Sequence, residues 1–263
     1  MAMLRQQLRL MFLALQFFTR LPIPRWVGFD AAWLPHATRY FPLVGLVLGV
    51  WVSALYALAS LTLPAPLAIL LSTCAGIYLS GALHEDGFAD VCDGLGGGAT
   101  AERALAIMKD SSIGAYGAVG IGLLLAVKCL TLSSLPPYAV VAALLLAHPL
   151  SRWCACALIW RLDYVRVGQS KARALAQQMS GFEFFIAALP PMFIALALGA
   201  ARILSWSALA GALVAALFAT LWLTRKLLRR LGGYTGDCLG AVQQISEVAI
   251  YLGLLAWLRH GGL

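Results

Sequence analysis

Charge is what this 263-residue sequence has least of: 11% of its residues are Asp, Glu, Lys or Arg, while 62% are hydrophobic. A soluble domain averages about a quarter charged residues. A water-facing globule is therefore excluded, and one integral membrane domain spanning 1–263 is expected, with no separate soluble domain. Paired cysteines are also lacking. The six cysteines show no CxxC or finger spacing, and four lie in or beside apolar runs, where a free thiol behaves as a small hydrophobe. His36, His84, His148 and His260 form no metal-ligand pattern. GxSxG, Walker and GxGxxG signatures are absent, so neither triad hydrolysis nor P-loop chemistry is supported. There is no internal repeat of the kind transporters show, no low-complexity tract, and no cleavable-signal pattern, because basic residues interrupt the N-terminal stretch too often. The net charge of +8 does not point to nucleic acid. Its basic residues sit at the ends of apolar runs rather than on a soluble face with interleaved aromatics.

What is present is a set of membrane-length apolar runs. No charge occurs between Arg39 and Glu85, which is too long for one crossing of roughly 20 residues. Pro64 and Pro66 in its middle mark a turn, giving spans near 41–61 and 66–83. Further uncharged runs at 111–127, 129–151, 184–201 and 203–224, and a last one at 248–258 extended back to Cys238, bring the expectation to about seven transmembrane helices in an all-α, polytopic bundle. The fourth span extends past Arg152 to Trp160, which places a charge inside the membrane boundary. Residues 1–39, 84–110, 161–182 and 225–238 hold 15 of the 19 basic residues, so these connections face the cytoplasm and the N-terminus lies inside. Residues 4–20 place Arg5, Arg9, Gln16 and Arg20 on one helical side and Leu4, Leu8, Met11 and Leu15 on another. That pattern fits an interfacial amphipathic helix lying against membrane lipid. The abundance of Gly and Ala would let copies pack closely into a homo-oligomer.

The chemistry concentrates in His84-Glu85-Asp86-Gly87-Phe88-Ala89-Asp90-Val91-Cys92-Asp93-Gly94, where four of the eleven acids fall within nine residues. If the helix of the second span continues past Leu83, Asp86, Asp90 and Asp93 stand at i, i+4 and i+7 on one face, with Glu85 beside them. Like charges at that spacing repel, and a carboxylate near hydrocarbon is costly. A divalent cation with oxygen ligands offsets both, and Mg²⁺ suits one or two carboxylates plus substrate phosphate oxygens. Glu85, Asp86, Asp90 and Asp93 are therefore the expected metal ligands and catalytic acids. A solvated acidic cap on the span would account for the charge but not for the alignment.

Two further polar islands follow. Lys109-Asp110-Ser111-Ser112-Ile113-Gly114-Ala115-Tyr116-Gly117 opens a span and resembles a phosphate cradle at a helix N-terminus; a capped helix start is the plain alternative. Gly232-Gly233-Tyr234-Thr235-Gly236-Asp237-Cys238-Leu239-Gly240 opens the last span, with Asp237, Gln244 and Glu247 within about 80° if helical. Glu247 lies two turns into the membrane, where an acid points to function. Arg152, also within a span, wants an anionic partner. Lys109, Asp110, Ser111, Arg152, Asp237, Gln244 and Glu247 are the expected substrate-binding residues.

The combination HEDGFADVCDG, KDSSIGAYG and GGYTGDCLGA, with the earlier FFTRLPIP (Phe17–Pro24) and RYFPLVG (Arg39–Gly45), resembles the cobalamin (5′-phosphate) synthase, or adenosylcobinamide-GDP ribazoletransferase, family over residues 10–245. A familiar variant of the first motif has Leu for Phe88 and Thr-Ala for Val91-Cys92; neither difference touches an acid. The resemblance implies a Mg²⁺-dependent transferase of the bacterial inner membrane. Such an enzyme joins adenosylcobinamide-GDP to α-ribazole or α-ribazole 5′-phosphate, with GMP leaving. Asp86, Asp90 and Asp93 would then hold the metal, and Lys109, Ser111 and Asp237 would surround the diphosphate or the ribazole. Two alternatives share some features. CDP-alcohol phosphatidyltransferases also use spaced aspartates at a membrane helix end, but with an alanine-arginine after the first DG and a longer gap to the last two acids. A solute transporter would place its acids near the bilayer midplane rather than at one edge.

Overall fold

The computed structural model describes residues 2–165 and 179–260; three of the basic residues counted above, Arg166, Lys171 and Arg173, lie outside them. Among the described residues the chain is helical, with a single isolated bridge between Tyr164 and Tyr234.

Helix α1 (Ala2–Phe18) lies along the bundle. Leu10, Leu13, Ala14 and Phe18 are buried, while Leu4 and Leu8 face outward. Arg5 and Arg9 lie over the rings of Trp26 and Trp33, so the segment that follows clamps the polar side of α1. After the short α2 (Leu34–Ala37) come α3 (Phe41–Ala59) and α4 (Ala65–Ser80), which form the expected hairpin across Pro64.

The helix of the second span does not run on past Leu83. Gly81 (φ 67°) and Ala82 (φ 59°) are both left-handed, and the Ala82 N–H closes back on the Ile77 carbonyl at 2.9 Å, a glycine-type C-terminal stop. Helix α5 (Leu83–Gly97) then leaves at 89° to α4. The acidic motif therefore occupies a separate helix turned across the bundle, rather than the tip of a span.

The remaining helices are α6 (Ala101–Ile107), α7 (Ala115–Ser133), α8 (Pro137–Arg161), α9 (Gly181–Ala200), α10 (Trp206–Leu231) and α11 (Gly236–His260). Among the described residues six helices are long and apolar enough to cross a membrane, and the bent pair α4–α5, if taken as one span, makes seven. Within their apolar windows α8 and α11 are 78% and 67% buried, against 28% for α7 and α9. The first two are thus the centre of the bundle and the other two lie at its outside. Pro149, Pro190 and Pro191 lie inside helices, which membrane helices tolerate where neighbours re-satisfy the backbone. Lys128, which ends an uncharged run in the sequence, lies within α7 and is buried.

Candidate active site

Helix α5 is pressed onto the start of α11. Gly87 lies against the backbone of Asp237 so closely that a side chain there would collide with it, and Gly240 meets the backbone of His84 in the same way. This approach is what a glycine at position 87 provides. Phe88, Val91 and Leu95 face the core, leaving the acids at i, i+4 and i+7 to three different surroundings. Asp86 is exposed, Asp90 is half-buried and Asp93 is buried.

Asp93 accepts the backbone N–H groups of Gly114 and Gly117, each at 2.8 Å. Gly117 has to be glycine for this, because a Cβ there would overlap the carboxylate. The N-terminus of α7, where the sequence suggests a phosphate cradle, is thus capped by the chain's own carboxylate, and the anion preference of a helix start is met internally. Lys109, Asp110 and Ser111 are exposed on the connection just before it. Asp110 accepts the Ser112 N–H at 3.0 Å, and that bond holds its carboxyl below the usual carboxylate range.

Beside Asp86 opens a cavity of about 140 Å³ whose walls are largely aromatic: Phe17, Phe18, Phe41, Tyr164 and Tyr234. Asp86 and Asp237 both line it, and Arg152 and His84 also reach it. Phe18 stacks on the His84 ring at 5.5 Å. The residues before α11 are fixed by the bridge to the 163–165 strand of chain: the Tyr234 N–H donates to the Asp163 carbonyl and the Val165 N–H to the Tyr234 carbonyl, both at 3.0 Å. Asp237 accepts from the Thr235 hydroxyl at 3.2 Å.

Deeper in the bundle lies a smaller chamber of about 30 Å³. Glu247, 2% exposed, pairs with Lys128 at 3.0 Å. It also accepts from the Tyr251 hydroxyl at 3.0 Å and from the Gln243 amide. Lys128 donates to Gln244 at 2.9 Å, and Gln244 donates to Glu85 at 2.8 Å. Gln244 and Glu247 are therefore placed in the interior, joined to the first turn of α5 rather than open to the lip. Arg152, 4% exposed, donates to the His148 carbonyl at 2.9 Å and reaches both cavities. Glu85 Oε2, Arg152 Nε and Gln243 Oε1 are buried without a hydrogen-bond partner among the described residues. All three residues line the inner chamber, which has room for water to serve them.

The sequence reading missed Lys128, His84 and the aromatic wall. An intramembrane lysine in a chain with an intramembrane glutamate was a readable signal. The aromatic residues come from four distant segments and carried none.

Among the described residues no three His, Cys, Asp or Glu side chains converge on one point, so a closed, all-protein metal centre is not formed. The donors do fit an ion held by one or two carboxylates and completed by substrate oxygens, as Mg²⁺ prefers. Asp86 supplies an exposed hard-oxygen ligand at the cavity mouth, with Asp90 one turn along. Asp93 fits less well, because both its oxygens already accept backbone donors.

A helical bundle with seven membrane-length segments, and acids gathered beside an aromatic cavity at one end, defines a polytopic membrane protein with an enzyme-like site. The family profile of cobalamin-5-phosphate synthase matches residues 10–255; the chain belongs to that family. It is 47% identical over 256 residues to the adenosylcobinamide-GDP ribazoletransferase of Shewanella frigidimarina, covering 95% of each chain. Relatives of the same description from Vibrio cholerae (42% identical, 98% of each chain) and Leptothrix cholodnii (44%, 97% of this chain and 98% of the relative) extend the likeness over the full length. No solved structure matches. CDP-alcohol phosphatidyltransferases and transporters, the alternatives suggested by the spaced acids, are not among these relatives.

Proposed function

We propose that this protein is the transferase that joins adenosylcobinamide-GDP to α-ribazole or its 5′-phosphate in the bacterial inner membrane. The observation that carries the reading is the pair Asp86 and Asp237, brought by two helices to the mouth of one aromatic-lined cavity. A ribose hydroxyl attacks the corrinoid-side phosphorus of the diphosphate. The new P–O bond forms as the bond from that phosphorus to the bridging oxygen breaks, and GMP leaves with that oxygen. Such a displacement needs positioning and charge neutralisation more than a covalent nucleophile.

Asp86 and Asp90 would hold Mg²⁺. When bound, that ion neutralises the diphosphate and the charge growing on the departing GMP. Asp237, across the mouth from Asp86, takes the proton of the attacking hydroxyl. Glu85, tied to Gln244 and through it to Lys128, fixes the first turn of α5. Asp93 fixes the far end of the acidic stretch. Lys109 and Ser111 stand exposed beside that end, where they can meet the diphosphate or its nucleotide. The basic connections favour the cytoplasmic side for this end of the bundle.

The test is direct. Membranes containing the full chain are mixed with adenosylcobinamide-GDP, α-ribazole 5′-phosphate and Mg²⁺, and GMP and the corrinoid product are quantified. Stoichiometric release of both supports the reading. CMP release from a CDP-lipid instead, or no product from the corrinoid substrate, overturns it.

A further inference from the structure

The aromatic cavity poses a question the acids do not answer: which part of which substrate enters it. At about 140 Å³ it has room for a planar ring system but not for a corrin macrocycle, so the corrinoid stays outside. Its walls are mostly apolar, with Phe17, Phe18, Phe41 and Tyr164 joined by Leu83, Ala155 and Leu239. Stacking surfaces on several sides select a flat aromatic guest. The polar side chains of this lining, Asp86, Asp237 and Arg152 among them, are fewer than its apolar ones. An apolar ring system is therefore matched over more of its surface than a base with polar edges all round, such as guanine.

Tyr234 adds a second, independent observation. It is fully buried and lines this cavity, yet its hydroxyl has no hydrogen-bond partner among the described residues. An unsatisfied buried hydroxyl is costly, so a site that retains one has an acceptor to offer it when occupied. Burial pushes the hydroxyl above its ordinary titration range, so the oxygen keeps its proton and remains a donor. Polar atoms of Arg152 and Gln243 are also unpartnered, but both residues border the inner chamber as well, where water can serve them.

We propose that this cavity is the subsite for the base of the ribazole substrate, a flat and largely apolar benzimidazole-type bicycle whose single free ring nitrogen accepts the Tyr234 hydroxyl. The inference rests on the function proposed above and deepens it. With the base seated among Phe18, Phe41 and Tyr164, its ribose emerges at the mouth. The attacking hydroxyl then lies between Asp86 and Asp237, and the diphosphate stays at the exposed lip with the acids of α5.

Steady-state kinetics on the detergent-purified full chain, with each substrate varied in turn, test this. Ala155→Phe narrows the cavity and should raise KM for α-ribazole 5′-phosphate at least tenfold while leaving KM for adenosylcobinamide-GDP within twofold. Tyr234→Phe keeps the volume and removes only the hydroxyl. It should raise KM for the ribazole substrate roughly fivefold, the worth of one neutral hydrogen bond, and should have no such effect on an indole riboside, which lacks the acceptor nitrogen. Because Tyr234→Phe is nearly isosteric, the proposal stays testable if Ala155→Phe fails to fold. A rise in KM for adenosylcobinamide-GDP instead would assign the cavity to guanine and overturn the proposal. So would ribazole KM values unchanged in both variants, or an equal effect of Tyr234→Phe on the indole riboside. A wild-type chain that releases no GMP would defeat the parent reading, an outcome distinct from either.

Discussion

Lys128 and Glu247 meet as an ion pair of 3.0 Å in the interior of the bundle, each almost wholly shielded from solvent. The pair binds α7 to α11, and through Gln244 it reaches Glu85 on α5. The interior charge therefore fixes the helix that carries the acids at the lip. Removing one partner of such a pair strands the other, at a cost of about 3–5 kcal/mol. Lys128→Met and Glu247→Gln should each lower the midpoint of thermal unfolding in detergent. The double variant should be more stable than the sum of the single losses predicts, with a coupling of about 1 kcal/mol or more. Strict additivity would show that the two side chains do not depend on one another.

The three aspartates of α5 should separate into two kinds. Asp93 accepts two backbone donors, so Asp93→Asn loses a charge-assisted acceptor and turns an amide N–H toward a backbone N–H. A stability loss of about 1.5–3 kcal/mol is expected, with activity falling alongside it. Asp86→Asn and Asp90→Asn should lower GMP release sharply at fixed Mg²⁺, and Asp86→Asn, whose side chain is exposed, should unfold at the wild-type temperature. The check is a paired measurement of unfolding midpoint and turnover for all three. Equal thermal losses in all three would show that Asp93 is no more structural than its neighbours.

That distinction marks where reading the sequence stops. The span count was legible because each crossing needs its own apolar run, and the acidic motif because four acids beside a span demand a reason. Which aspartate faces outward was not, since the partners of Asp93 lie on Gly114 and Gly117 and no local pattern announces them. The perpendicular turn at Gly81 and Ala82 was not legible, since the sequence reads as one helix running on past Leu83, and an alanine in the left-handed region has no local sequence signal. Gln244 and Glu247 stand out in the sequence as polar residues in a membrane helix, expected there to bind substrate. Their inward direction depends on Lys128 and Glu85, which lie on two other helices. The aromatic cavity was invisible, because Phe17, Phe41, Tyr164 and Tyr234 become neighbours only once the bundle closes.

The contact between α5 and α11 predicts a position where one methyl group suffices to disturb the site. A Cβ at Gly87 would press into the backbone of Asp237, which cannot yield as a flexible side chain would. Gly87→Ala should separate Asp86 from Asp237 and reduce turnover by about a hundredfold, the scale on which ångström misplacements act. The chain should remain folded, with a stability loss of about 1–3 kcal/mol from overpacking. Gly122, which has open space around it, provides the control: Gly122→Ala should leave both turnover and stability near wild type. Normal turnover in Gly87→Ala would mean the two acids do not act together.

Metal removal gives the last prediction. Among the described residues the acids at the mouth do not form a closed ligand set, so the ion should bind weakly to the free protein and tightly only with the diphosphate present. Treatment with EDTA should therefore stop GMP release with little effect on unfolding temperature, since an ion that is barely bound to the free chain stabilises it little. Readdition of Mg²⁺ should restore activity. Ca²⁺ should restore far less, because it favours more ligands at longer range than this sparse site supplies. Asp86→Gln should raise the Mg²⁺ concentration needed for half-maximal activity tenfold or more, about 1.4 kcal/mol per factor of ten. If the EDTA-treated chain instead unfolds many degrees lower, the metal is structural, and its ligands lie elsewhere than at the mouth of the aromatic cavity.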